Sequence, residues 1–369
     1  DGDFAPGDPR AGSAPKERMA ALPANLVKNA CDVWSCLARA SDGRRGAACF
    51  GDQDAAAAAL FCCELMRRPD LVASPVVHAK LVEFLTQLLR TARGPASRKA
   101  EASLFFGPGR GLAGAVMDSE RVRRELPPAL VHLYGEVHAV VGLDVDADQA
   151  FDKFNVRHRV NALLSQFWRH PLGEPRAALA RLFGDAAKAA TFAGACLDTM
   201  VYCGEDSLDR LADGVLREVD GKPPPEATPA RDFYDSQQRV CRGFLPQACS
   251  TLDVLLEFVE QDASVAKALL GAPPALRVAV AHALRLLESC GTADGLARVR
   301  PSEPKAWAFD ADALLDYAAR LLEAARAANG DAAFSAALRR SPDYDASALR
   351  EAAAKPSGAA LARVVAVAP

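Results

Sequence analysis

The sequence predicts an all-α protein built as an elongated α-solenoid, and three observations lead there. Alanine, the strongest helix former, is abundant and includes the run Ala55 to Ala59. Aromatic residues make up only 7% of the chain, so strand-forming side chains are scarce. Apolar residues recur at helical spacing in segment after segment, separated by short stretches punctuated by proline. Helices with short loops and no strand pattern point to divergent repeats of the armadillo or HEAT kind. No clean period of about 40 residues is visible, and an irregular helical bundle remains the alternative.

Taken in order, residues 1–20 are rich in Gly, Pro and charge and are expected to form a disordered lead, with the core running over 21–369. AAAAALFCCELMRR (55–68) reads as a helix that stops at Pro69. Ser74 is placed to cap the next helix, with Pro75 at its first position. That helix sets Leu81, Phe84, Leu85 and Leu88 on one face. Pro128 is expected to open another, with Leu130, Leu133, Val137 and Val141 as its stripe. From Asp148 the segment QAFDKFNVRHRVNALLSQFW reads as helical and ends at His170-Pro171. Pro175 begins a long helical stretch past Met200, and another follows to about Val219. GKPPPEATPA (221–230) then forms a linker or exposed loop. RDFYDSQQRVCRGFL is expected to end at Pro246, with STLDVLLEFVEQ and PPALRVAVAHALRLLES after it. Asp310 caps DADALLDYAARLLEAARAA, which ends at Gly330, and short helices near FSAALRR, DASALREAAA and LARVVAVA follow.

Composition narrows the class. Hydrophobic content of 50% beside 25% charged residues suits a 369-residue chain that buries a large core. A formal net charge of -3 offers no footprint for nucleic acid or an anionic membrane. Arg67-Arg68 and the run Arg121, Arg123, Arg124, Glu125 read as solvated helix faces. No signal peptide is expected, and the sequence shows no apolar run of about 20 residues. The chain starts at Asp1 rather than Met, so an N-terminal part is expected to be missing. The ten cysteines form no CxxC pair and fall mostly in apolar helical stretches, as reduced thiols acting as small hydrophobes in a reducing compartment.

Chemistry-bearing patterns are thin. Gly109-Arg110-Gly111-Leu112-Ala113-Gly114 fits GxGxxG by spacing, and SLFF before it could be a short strand, yet no further strands follow. A glycine-rich loop is the better reading. The histidines His78, His132, His138, His158, His170 and His282 form no HExxH, and His132 and His138 fall on different helical faces. They read as satisfied or solvated, with no metal site, no cofactor site and no GxSxG elbow. No catalytic residue is assigned.

One cluster stands apart. In Phe151-Asp152-Lys153-Phe154-Asn155-Val156-Arg157 the two aromatics share a helical face and are expected to anchor the helix in the core. Asp152, Lys153 and Arg157 are expected on the other side, where Lys153 and Arg157 could pair with carboxylates of a neighbouring helix. The alternative is a partner-binding hot spot.

LPPALVHLYGEVHAV (126–140) followed by AFDKFNVRHRVNALLSQFW (150–168) resembles the core of the ubiquitin-chain elongation factors, a U-box ubiquitin ligase family. ELMRRPDLVASPVVHAKLVEFL (64–85), PSEPKAWAFDADALLDYAARLL (301–322) and FSAALRRSPDYDASALREA (334–352) resemble further family segments in the same order. The stretch at 107–114 and TADGLARV (292–299) depart from the pattern. Phe151, Asp152, Lys153, Phe154, Asn155 and Arg157 carry the family motif, in a structural role.

The resemblance implies a helical-repeat core of a ligase that elongates polyubiquitin on already ubiquitylated substrates destined for the proteasome, including proteins removed from the endoplasmic reticulum. It implies a cytoplasmic and nuclear location. Its partners would be a ubiquitin-conjugating enzyme, ubiquitylated substrates and an AAA segregase, with no nucleic acid and no membrane insertion. No U-box is found before Pro369, so the chain alone is not expected to ligate ubiquitin. A helical-repeat adaptor without ligase activity is the alternative, and a small-molecule enzyme is a more distant one.

Overall fold

Helix formation follows from alanine-rich stretches bounded by capping residues, and the computed structural model describes residues 24–42, 51–68, 75–89, 111–137 and 153–368. Among these residues there are sixteen α-helices and no strand, which makes the protein all-α. The expectations on 1–20, Ser74, SLFF, Val141 and 148–152 lie outside the described residues. The chain divides into two compact units, 1–179 and 180–369.

The first unit holds α1 (Ala24–Asp42), α2 (Asp52–Arg67), α3 (Pro75–Leu88), α4 (Gly111–Asp118), α5 (Glu120–Glu136), α6 (Lys153–Trp168) and the start of α7 (Glu174–Phe183). On α3 the four stripe residues Leu81, Phe84, Leu85 and Leu88 are all buried, as the spacing predicts. Lys80 reaches Asp32 at 3.1 Å and Phe84 lies 5.6 Å from Trp34, so α3 runs alongside α1 in the same direction. Arg121 meets Glu64 and Arg67 meets Glu125, each at 3.9 Å, which sets α5 parallel to α2.

Two expectations fail here. Pro128 does not open a helix: α5 begins after Ser119, whose side chain accepts from Val122 N, and carries Pro127 and Pro128 inside it. Gly111 to Gly114 are not a loop but the first turn of α4, where the glycines sit beside good helix formers.

The second unit is built from longer helices: α8 (Ala186–Arg217), α9 (Pro229–Gln261), α10 (Ala263–Leu270), α11 (Pro273–Gly291), α12 (Ala293–Val299), α13 (Ala311–Asn329), α14 (Asp331–Arg340), α15 (Ala346–Ala353) and α16 (Ala362–Val367). α8 and α9 pair antiparallel over their length. Tyr234 meets Glu218, Gln237 meets Arg210, Cys241 meets Ser207, Gln247 meets Cys203 and Phe258 meets Phe192. At the far end Phe183, Phe192 and Phe258 are all buried, with centroids 5.4 to 6.1 Å apart, each contributing about 1.5–3 kcal/mol by burial.

A second hairpin lies on the first. α11 runs parallel to α8, with His282 at Glu205 and Arg285 at Asp209, partners separated by 77 and 76 residues. α13 runs parallel to α9, with Tyr317 at Asp253 and Arg320 at Glu260, separated by 64 and 60. Asn329 donates to the Leu270 carbonyl and Gly291 faces Leu315, so α13 is antiparallel to α11. Two stacked helical hairpins are the repeat arrangement of an α-solenoid. The unequal separations explain why the sequence has no single period.

Elsewhere in this unit, Asp310 caps α13 by accepting from Ala313 N, and Gly330 ends it, both as expected. The stretch read from Pro175 past Met200 breaks at Gly184, because Asp185 caps a new helix through Ala187 N and Lys188 N. The two segments read around Pro246 are one 33-residue helix. Proline removes only the donor that the Arg242 carbonyl would have used, and Arg242 and Pro246 are both exposed, so water can serve that carbonyl. Residues 221–228 form turns, as expected, with α9 starting at Pro229 after a Thr228 cap.

Candidate functional site: the motif helix and its surroundings

α6 carries the motif that singled out this part of the chain. Phe151 and Asp152 lie outside the described residues. Phe154 is buried, as expected for a core anchor, together with Val156, Val160, Leu163, Leu164, Phe167 and Trp168. Lys153 holds its ammonium 4.7 Å over the Phe154 ring. Asn155 accepts from Arg159 at 3.3 Å, a contact one turn along the same helix.

Arg157 corrects the expectation most sharply. It is not on the side opposite the aromatics but 0% exposed, with its guanidinium 5.3 Å from the Tyr134 ring of α5. A charge taken that far from water is tolerated only where rings and acceptors replace hydration. Asn161, one turn further, is buried with it.

Two more arginines organise the same region, and sequence reasoning missed both. Arg176 lies 5.2 Å over the Trp168 ring and donates to the Trp168 carbonyl at 3.1 Å, closing the end of α6. Arg123, read as a solvated residue, is buried. It donates to Glu174 of α7 and, at 2.7 Å each, to the Met117 and Asp118 carbonyls that end α4. The Arg123 hydrogen bond holds the Glu174 carboxyl below the usual carboxylate range. Arg121, Arg124 and Arg67 do occupy exposed faces, where they pair with Glu64, Glu120 and Glu125. An i, i+3 or i, i+4 pattern cannot separate Arg123 from its exposed neighbours, because only the position of α7 distinguishes them.

In the second unit the connecting residues converge on Glu218. Its carboxylate accepts from Tyr234 OH at 2.7 Å, Ser302 N at 2.9 Å and Ser302 OH at 3.0 Å. Trp307 Nε1–H donates to Tyr234 OH at 3.3 Å, and burial pushes the Tyr234 phenol up to about 12. Near the start of α13 a cleft of about 750 Å³ is lined by Cys290, Arg300, Glu303, Lys305, Asp310 and Lys355 among others. Its charges are mixed, and Asp310 is already committed to its cap.

The other chemistry-bearing residues are quiet. No group of three His, Cys, Asp or Glu able to hold a metal occurs among the described residues. The described cysteines are not joined in disulfides, and all but Cys36 and Cys249 are buried. Burial raises Cys31 to about 11 and Cys241, Cys249 and Cys290 to about 12, so they remain protonated and are poor nucleophiles. Two histidines are not satisfied as expected: Nε2 of His78 and of His282 is buried without a hydrogen-bond partner. Among the described residues no single helix is long and apolar enough to cross a membrane.

The sequence model of one family, described as ubiquitin elongating factor core, matches residues 6–269 and so spans the motif helix and the α8–α9 hairpin. A protein of Arabidopsis thaliana described as a probable ubiquitin conjugation factor E4 is 25% identical over 192 residues. That stretch covers 49% of this chain and 17% of the plant protein. The chain belongs to the ubiquitin elongating factor core family.

Proposed function

We propose that the chain is the core scaffold of a ubiquitin ligase that extends polyubiquitin chains on substrates already carrying ubiquitin. The observation that carries this reading is the family match over 6–269. The chemistry is isopeptide formation. A substrate-linked ubiquitin lysine attacks the thioester that joins a second ubiquitin to a conjugating enzyme, and the enzyme's thiol leaves. A scaffold contributes by holding the two reactants in register, which is catalysis by proximity and orientation. The buried thiols of Cys241 and Cys290, which burial keeps protonated, fit a role without a covalent intermediate at those positions.

In this reading the core extends over 21–369, the conjugating enzyme is recruited by a U-box in sequence after Pro369, and Phe151, Asp152, Lys153, Phe154, Asn155 and Arg157 shape the core. The products are destined for the proteasome, an AAA segregase is a partner in extracting proteins from the endoplasmic reticulum, and the protein works in cytoplasm and nucleus. The test is chain elongation with activating enzyme, conjugating enzyme, ATP and a mono-ubiquitylated substrate. The protein extended through the sequence after Pro369 should build chains, and the 369-residue chain should not. If neither does so with any of several conjugating enzymes, an adaptor without ligase activity becomes the better reading.

A further inference from the structure

We propose that Asn329-Gly330, the one Asn-Gly pair in the chain, is a self-modification site whose deamidation unlatches α13 from α10. Asn329 is the last residue of α13. Its Nδ2 donates at 2.9 Å to the Leu270 carbonyl, which ends α10 and lies 59 residues away in sequence. It donates at 2.9 Å also to the Ala325 carbonyl of its own helix. The last carbonyls of a helix have no partner inside that helix, so Asn329 caps α10 from a different element. Both hydrogens of the side-chain amide are used in doing so.

The same amide stands beside its natural attacker. When the Gly330 nitrogen adds to Asn329 Cγ, the Cγ–Nδ2 bond breaks, the Gly330 proton passes to solvent and the side-chain nitrogen leaves as ammonia. Water then opens the five-membered imide at one of its two carbonyls, giving aspartate or isoaspartate. No oxidant or reductant takes part. Gly330 suits the attack because it has no Cβ, is exposed, and has nothing within 4 Å of the place a Cβ would take.

The fold holds this reaction back. The Gly330 N–H donates to the Arg326 carbonyl at 2.8 Å, so the attacking nitrogen is engaged, while the two Nδ2 bonds fix the group it would attack. Arg326 spans the junction, bonded to Glu323 at 2.9 Å and to Asp331 at 2.7 Å. The ring can close only when the last turn of α13 opens. Once it has closed, the native contacts do not return. A carboxylate is an acceptor with no hydrogen to offer, so it faces the Leu270 and Ala325 carbonyls unfavourably, at the negative end of the α13 dipole. Isoaspartate also lengthens the main chain by one carbon. The modified fraction therefore records how much that turn has been open.

The experiment incubates the 369-residue chain at mildly alkaline pH, folded and in urea, and maps the exchange of ammonia for water by peptide mass spectrometry. In urea Asn329 should react ahead of the four other asparagines, and folding should slow it at least tenfold. Arg326→Gln should speed the folded reaction severalfold and leave the rate in urea unchanged. Asn329→Asp should lower the urea midpoint more than Asn329→Ala, because alanine only removes the donors whereas aspartate adds repulsion. Equal rates with and without urea, or no reaction at Asn329 in urea, overturn the proposal. So does an Asn329→Asp variant as stable as Asn329→Ala, since the latch would then be indifferent to the new charge.

Discussion

Gly214 and Gly194 lie on the same helix, and alanine at each is expected to change stability in opposite directions. A Cβ at Gly214 would sit 2.7 Å from Trp307 Cζ2 and nearer still to Cη2. Trp307 is fully buried and cannot withdraw without giving up its hydrogen bond to Tyr234 and the edge-on ring contact at 5.1 Å. Overpacking of this kind costs about 1–3 kcal/mol, against about 1 kcal/mol gained by replacing glycine with alanine inside a helix. Gly214→Ala should therefore destabilise the protein by up to about 2 kcal/mol. At Gly194 nothing lies within 4 Å of the added Cβ, so only the gain remains and the variant should be more stable by about 0.5–1 kcal/mol. Urea unfolding followed by circular dichroism and tryptophan emission reads both. Adding Trp307→Phe to Gly214→Ala should recover part of the loss, since the smaller ring vacates the contested space. Shifts of the same sign at both glycines, or strictly additive costs in the double variant, would refute the argument.

Three further outcomes follow from groups described above. Burial, helped by the charge on His132, lowers the His78 imidazole from 6.5 to about 4, so the unfolded chain binds that proton first. Stability should therefore fall as pH drops from 6.5 through 4, by up to about 3 kcal/mol, and His78→Gln should flatten that slope in urea titrations across this range. Arg123→Met should cost about 3 kcal/mol in the same assay, because it strips three charge-assisted bonds from a buried site, while Glu174→Gln, which keeps an acceptor in place, should cost far less. A thiol reagent should modify Cys36 rapidly and the buried cysteines only on unfolding, and Cys36→Ser should remove one equivalent from the fast phase.

The residues that were legible in the sequence are those whose effect is local. Asp310 bounds a helix through its carboxylate on Ala313 N and Gly330 through its own N–H on the Arg326 carbonyl, and the stripe Leu81, Phe84, Leu85, Leu88 needs only a helical period to find its buried face. Phe154 followed the same logic. Prolines misled because the penalty at Pro246 depends on whether the freed carbonyl reaches water, which no local pattern states. Arg123 and Arg157 misled because a guanidinium's burial is decided by α7 and α5, elements distant in the chain. The repeat architecture hid for a related reason. Stacked partners lie 76 and 77 residues apart in one layer but 60 and 64 in the other, so the connecting segments shift each layer by a different amount.

The pairing of α8 with α9 has a kinetic consequence. Starting from the turn, successive rungs join residues 16, 27, 34 and 44 apart. Loop-closure entropy grows only with the logarithm of the span, so each rung costs little more than the one before it has already met. The hairpin can therefore close like a zip from Glu218 and Tyr234 toward Phe192 and Phe258, without a slow search for distant partners. The tied turn then sets how quickly the pair forms, and the phenylalanine cluster at the other end sets how slowly it comes apart.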